Sequence, residues 1–81
     1  MERKKKLGLT ARNPGQLGNA LLRYRKLEGW TQKKLGDRAG VKQGIISLVE
    51  SGTPGTHLET LCKILAALDL EFMVRKRKKS E

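Results

Sequence analysis

The sequence predicts a mainly α fold, a four- to five-helix helix-turn-helix domain that ends in one strand pairing across a homodimer. Three observations predict it. Residues 31–51, TQKKLGDRAGVKQGIISLVES, read as two short helices joined at a glycine. Apolar residues recur at spacings of three and four on either side of that stretch. Residues 70–75 then switch to strict alternation, the period of a strand.

In chain order, residues 1–12 form a basic arm, and residues 13–69 form the helical domain. Asn13, Pro14 and Gln16 open the first helix: Asn as cap, Pro at the first helical position, Gln three residues beyond the cap. Leu17, Leu21, Tyr24 and Leu27 form its stripe, widened by Ala20 and Leu22, and the helix stops at Gly29. Trp30 follows as a core anchor, because a fixed turn is a poor platform for stacking on a base. Thr31 caps the next helix through its hydroxyl, and Leu35 and Ala39 supply its buried side. Gly40 takes the positive φ of the turn, Val41 starts the second helix of the motif, and Ile46 and Val49 point inward.

Gly52-Thr53-Pro54-Gly55 is a loop. Thr56 and Glu59 are spaced as a capping box for a fourth helix, with Leu58, Leu61, Leu65 and Leu68 as its stripe and Ile64 in support. Asp69 ends it. His57 has no acidic or cysteine partner near it in sequence and is expected on the surface. In residues 70–75, Leu70, Phe72 and Val74 alternate with Glu71, Met73 and Arg75. A lone strand cannot satisfy its own backbone. It must pair with the arm, where Leu7 and Leu9 alternate weakly, or with its copy in a second chain. The homodimer is the favoured solution, since it also enlarges a small core.

Composition narrows the class. Eighty-one residues make one small domain near the lower limit of independent stability. Cys62 is the only cysteine, which excludes an internal disulfide and a cysteine-rich metal site; a buried place on the fourth helix is expected for it. No apolar run approaches a membrane span, and the basic start is not followed by a signal-peptide core, so a soluble cytoplasmic protein is expected. The net charge is +10, and residues 1–9 with 75–81 carry nine of the 18 Lys and Arg residues but two of the eight acids. The tail at 76–81, like the arm, suits a phosphate backbone, whose condensed counterions such charge displaces. Paired carboxylates, a nucleophile with a base, and a phosphate-cradling loop are all missing, so no enzyme and no cofactor or metal are expected.

The second helix of such a motif enters the major groove of double-stranded DNA. With Ile46 and Val49 inward, Lys42, Gln43, Gly44 and Ser47 are the expected base-contacting positions. Gln pairs in bidentate fashion with adenine, Lys reads guanine or phosphate, and Gly44 permits close approach. Thr31, Gln32, Lys33, Lys34 and Arg38 are expected at the DNA backbone, with the Gln32 amide also bracing Gln43. Ile45 and Leu48 flank this face, and both thymine contact and packing against another element are open to them.

The run TQKKLGDRAGVKQGIISLVESG resembles the Xre/Cro helix-turn-helix of phage and bacterial repressors, which has a lambda-repressor-like fold. The resemblance covers about residues 14–69, with Gln32, Leu35, Gly40, Val41, Ile46, Ser47 and Glu50 in step. It implies a structural ion pair between Arg25 and Glu50. Gly36 stands where that family usually has Ala, and a slight loosening of its helix is expected, by about 1 kcal/mol at most. NPGQLGNALLRYRKLEGWTQ, THLETLCKILAALDL and EFMV further resemble the HipB-type antitoxins. That resemblance implies a dimeric bacterial repressor with paired C-terminal strands, a palindromic operator near its own promoter, and restraint of a HipA-like serine/threonine kinase toxin. It places the chain at the nucleoid. The short basic tail at 75–81 departs from the pattern. A stand-alone phage-type repressor without a toxin is the alternative, and a non-specific architectural protein is the third class.

Overall fold

The computed structural model describes residues 8–77. Within them lie four helices: α1 (Pro14–Glu28), α2 (Gln32–Ala39), α3 (Gln43–Glu50) and α4 (Leu58–Ala67). The α1 entry forms as its sequence predicts. Asn13 Oδ1 accepts from the Gln16 backbone N–H at 2.8 Å, and the Gln16 side chain reaches back to the Arg12 N–H at 2.6 Å. Gly29, at φ 75°, ends α1 in the left-handed conformation that a side chain would strain.

Each helix sends one fully buried side chain to a common centre: Leu21, Leu35, Ile46 and Ile64. Val49, Leu65 and Leu68 complete the core, with Leu17, Tyr24, Trp30, Ala39, Val41, Ile45, Leu61 and Leu70 packed around it. Helix α3 packs on both α1 and α2, and α2 packs on α4. Gly18 makes the first of these contacts possible. A Cβ there would overlap the Val49 carbonyl and stand 2.9 Å from that of Glu50, so only hydrogen lets α1 cross the last turn of α3.

Several expectations are corrected. Helix α3 begins at Gln43, not at Val41, because the Val41 N–H bonds to the Gly36 carbonyl at 2.9 Å and holds Val41 in the turn. The Thr56–Glu59 capping box does not form; His57, which is exposed, is the cap residue of α4 and makes no side-chain cap bond. With the helix opening at Leu58, that side chain lies outside the core at 65% exposure, and Ile64 takes the central place instead. Cys62 is exposed, since it falls off the Leu61–Ile64–Leu65 side of the helix. Leu27 is also largely exposed.

Residues 70–75 carry no strand ladder. Leu70 is tied down by its N–H to the Leu65 carbonyl at 2.8 Å and packs on the core, but Phe72, Met73 and Val74 are exposed. Ladder hydrogen bonds need a second strand alongside. The arm reaches this segment through a side chain, Arg75 Nη2 donating to Thr10 Oγ1 at 3.2 Å. The basic stretches at 1–7 and 78–81 lie outside the described residues.

Two glycine replacements should move stability in opposite directions in urea unfolding. Gly18→Ala should lower it by about 1–3 kcal/mol or more through overpacking against the α3 backbone. Gly44→Ala meets nothing within 4 Å and should raise it by up to about 1 kcal/mol, the difference in helix propensity.

Candidate nucleic-acid interface

The motif is built from two short helices set by a tight turn. Thr31 Oγ1 accepts from the Lys34 N–H at 3.0 Å, closing the first turn of α2. Gly40, at φ 71°, reverses the chain. Gly36 brings the turn close: a Cβ at that position would lie 2.6 Å from the Val41 carbonyl. The missing methyl at Gly36 lets the turn pack against α2, a packing role separate from its expected effect on the helix.

A buried polar cluster locks α3 to the rest. Arg25 Nε and Nη2 donate to the two carboxylate oxygens of Glu50 at 2.6 and 2.9 Å. Its third nitrogen, Nη1, donates to the Trp30 carbonyl at 2.7 Å. Gln32 Nε2 donates to Glu50 Oε1 at 3.0 Å. The Arg25 and Glu50 side chains are 10% and 6% exposed, so the pair is largely shielded from water. The Arg25–Glu50 pair thus joins α1, the α1–α2 turn, α2 and the end of α3. The Arg25–Glu50 pair is as the resemblance implied. The Gln32 brace differs from expectation: its amide is bound to Glu50, where the carboxylate is a stronger acceptor than the Gln43 side chain offers.

Lys42, Gln43, Gly44 and Ser47 are all exposed; Gly44 and Ser47 lie on the side of α3 away from buried Ile46 and Val49, Gln43 sits at its shoulder, and Lys42 precedes the helix. Lys42 is the cap residue and makes no side-chain cap bond. Lys33, Lys34 and Arg38 are exposed on α2. Lys33 is paired with Asp37 at 3.2 Å, so its charge is partly offset. The Arg38 guanidinium lies 5.0 Å from the Trp30 ring centroid, a cation–π contact that holds it against the α1–α2 turn. Trp30 itself is half-buried against the core. Of the two flanking residues, Ile45 packs on the core and Leu48 stands out at 48% exposure. Among the described residues, no helix is long and apolar enough to cross a membrane.

The family model described as "Helix-turn-helix" (HTH_3) matches residues 21–73. Antitoxin HipB of Escherichia coli strain K12 is 42% identical over 60 residues, covering 74% of this chain and 68% of that protein. Antitoxin HipB of strain CFT073 is 42% identical over the same length, covering 64% of that protein. The chain thus spans about two thirds of the length of these curated relatives. A structure described as a HipA-HipB-O2-O3 complex aligns with a TM-score of 0.78 at 38% identity, over 85% of this chain and 97% of that one. The restriction-modification controller protein C.AhdI from Aeromonas hydrophila aligns with a TM-score of 0.67 at 28% identity, over 72% and 84% of the two chains.

Because the Arg25 charge is buried, Glu50→Gln should cost about 3–5 kcal/mol in denaturant unfolding, the usual result of leaving one ion of a shielded pair alone. The double variant Arg25→Met with Glu50→Leu should lose less than the two single losses added together, since it strands no charge.

Proposed function

The chain belongs to the helix-turn-helix family and, within it, to the HipB antitoxins; from that premise we propose that it is a sequence-specific DNA-binding repressor and the antitoxin of a type II toxin-antitoxin module. It binds as a homodimer to a palindromic operator of its own operon and restrains a HipA-like serine/threonine kinase toxin. It acts by occupancy in the cytoplasm, at the nucleoid, and not by catalysis.

One observation carries this reading. The exposed face of α3 is presented by a scaffold that superposes on HipB over most of the chain, and the structures superposed are described as complexes of HipB with HipA and with O2 and O4 20mers. On this reading Lys42, Gln43, Gly44 and Ser47 meet base edges, while Thr31, Gln32, Lys33, Lys34 and Arg38 hold phosphates. The arm at 1–12 and the tail at 76–81 add charge that grips DNA of any sequence.

The dimer is proposed from residues 70–75. Phe72, Met73 and Val74 are exposed, and the first two line a cleft of about 560 Å³ together with Leu9, Leu17, Tyr24 and, at its polar side, Arg12 and Glu71. Pairing of Leu70, Phe72 and Val74 with their copies in a second chain satisfies the free backbone edge and covers that apolar surface.

Gln43→Ala and Ser47→Ala should each weaken operator binding by about 1–3 kcal/mol, the worth of a side chain bonded to a base edge, and should relax sequence preference. Lys34→Ala should weaken all DNA nearly equally and lower the salt slope by about one. Co-expression with the product of the adjacent reading frame, followed by size-exclusion chromatography with light scattering, tests the partners. The expected result is a complex holding two copies of this chain. A dimer eluting alone removes the toxin from the reading, and a monomer removes the strand-paired dimer.

A further inference from the structure

Helix α3 carries one exposed side chain whose chemistry does not suit water. At 3.6 residues per turn, Ile46 and Val49 define the inward direction, and the opposite direction falls within roughly 10° of Gly44. Ser47 and Leu48 then flank Gly44 at roughly 50° on either side, while Gln43 and Ile45 sit at the shoulders, roughly 90° or more away. Leu48 is therefore as central to the outward face as Ser47. Ile45 differs from it, being half-buried and packed on the core.

Gly44 adds a second constraint. A Cβ there would meet nothing within 4 Å, so neither packing nor a left-handed backbone calls for glycine at that position. The helix gives up stability to keep its outward centre bare. A bare centre brings the helix backbone deep into a groove, and it brings the Leu48 side chain, one turn further on, to the level of the base edges. The only apolar group that the major groove presents there is the C5-methyl of thymine.

Resting on the DNA-binding reading above, we propose that Leu48 is a specificity-determining residue that packs its branched end on a thymine methyl in each half-site. It selects thymine by contact with that methyl, which cytosine, adenine and guanine lack. Ser47 and Gln43, on the other side of Gly44, supply the polar part of the readout.

The test uses the full chain and a sequence enriched from a pool of randomised DNA duplexes. Each thymine of the enriched site is replaced in turn by deoxyuridine, which removes the methyl and leaves base pairing intact. The wild type should lose about fourfold in affinity at one thymine per half-site, the worth of one buried methyl group. Leu48→Met should keep most of that penalty, and Leu48→Ala should abolish it while keeping the wild-type helical content by circular dichroism. Equal penalties in Leu48→Ala and wild type would overturn the proposal, as would a site with no methyl-sensitive thymine. Failure to enrich any sequence would instead overturn the DNA-binding reading on which it rests.

Discussion

The buried pair between Arg25 and Glu50 is the constraint on which the rest of the structure depends. Two short helices of eight residues each cannot hold a fixed angle on their own. The Glu50 carboxylate ties the end of α3 to α1 through Arg25 and to the start of α2 through Gln32. The remaining guanidinium N–H secures the turn at Trp30. Desolvating two ions is costly, and that cost is met here because every bond in the cluster is short and charge-assisted. The consequence is geometric. The outward face of α3 is held at one orientation relative to the N-terminus of α2.

Glycine divides between packing and interface in this fold. Gly18 and Gly36 stand where a methyl group would strike a backbone carbonyl of a neighbouring element, so they set how closely the motif packs on α1 and on its own turn. Gly44 stands in open space. The first two serve the core, and packing gives the third no reason to be glycine. Leucine divides in a similar way: Leu35 is fully buried on α2, while Leu48 on α3 is half in water.

The described structure is complete around its core and incomplete at its C-terminal edge. The four central side chains leave no helix without an anchor, but the segment after α4 leaves Phe72, Met73 and Val74 uncovered, and Phe72 and Met73 line a cleft of mixed polar and apolar residues.

Local chemistry determined much of this protein from sequence alone. Asn13 with Gln16, Thr31, Gly29 and Gly40 each act within one turn of their own position, so the limits of α1 and α2 were legible without the fold. The inward residues Leu21, Leu35, Ile46 and Val49 followed from periodicity, which is also local. The starts of α3 and α4, the exposure of Cys62 and Leu58, and the partner of the Gln32 amide were decided only by the tertiary structure. The start of α3 follows from the turn bond from Val41 to Gly36, the exposures of Cys62 and Leu58 from where α4 begins and which of its sides meets the core, and the last from the Glu50 carboxylate that α3 brings alongside. The alternation in residues 70–75 shows the same limit from the other side, because a period-two pattern specifies which side chains share a face but a ladder forms only where a second strand is supplied.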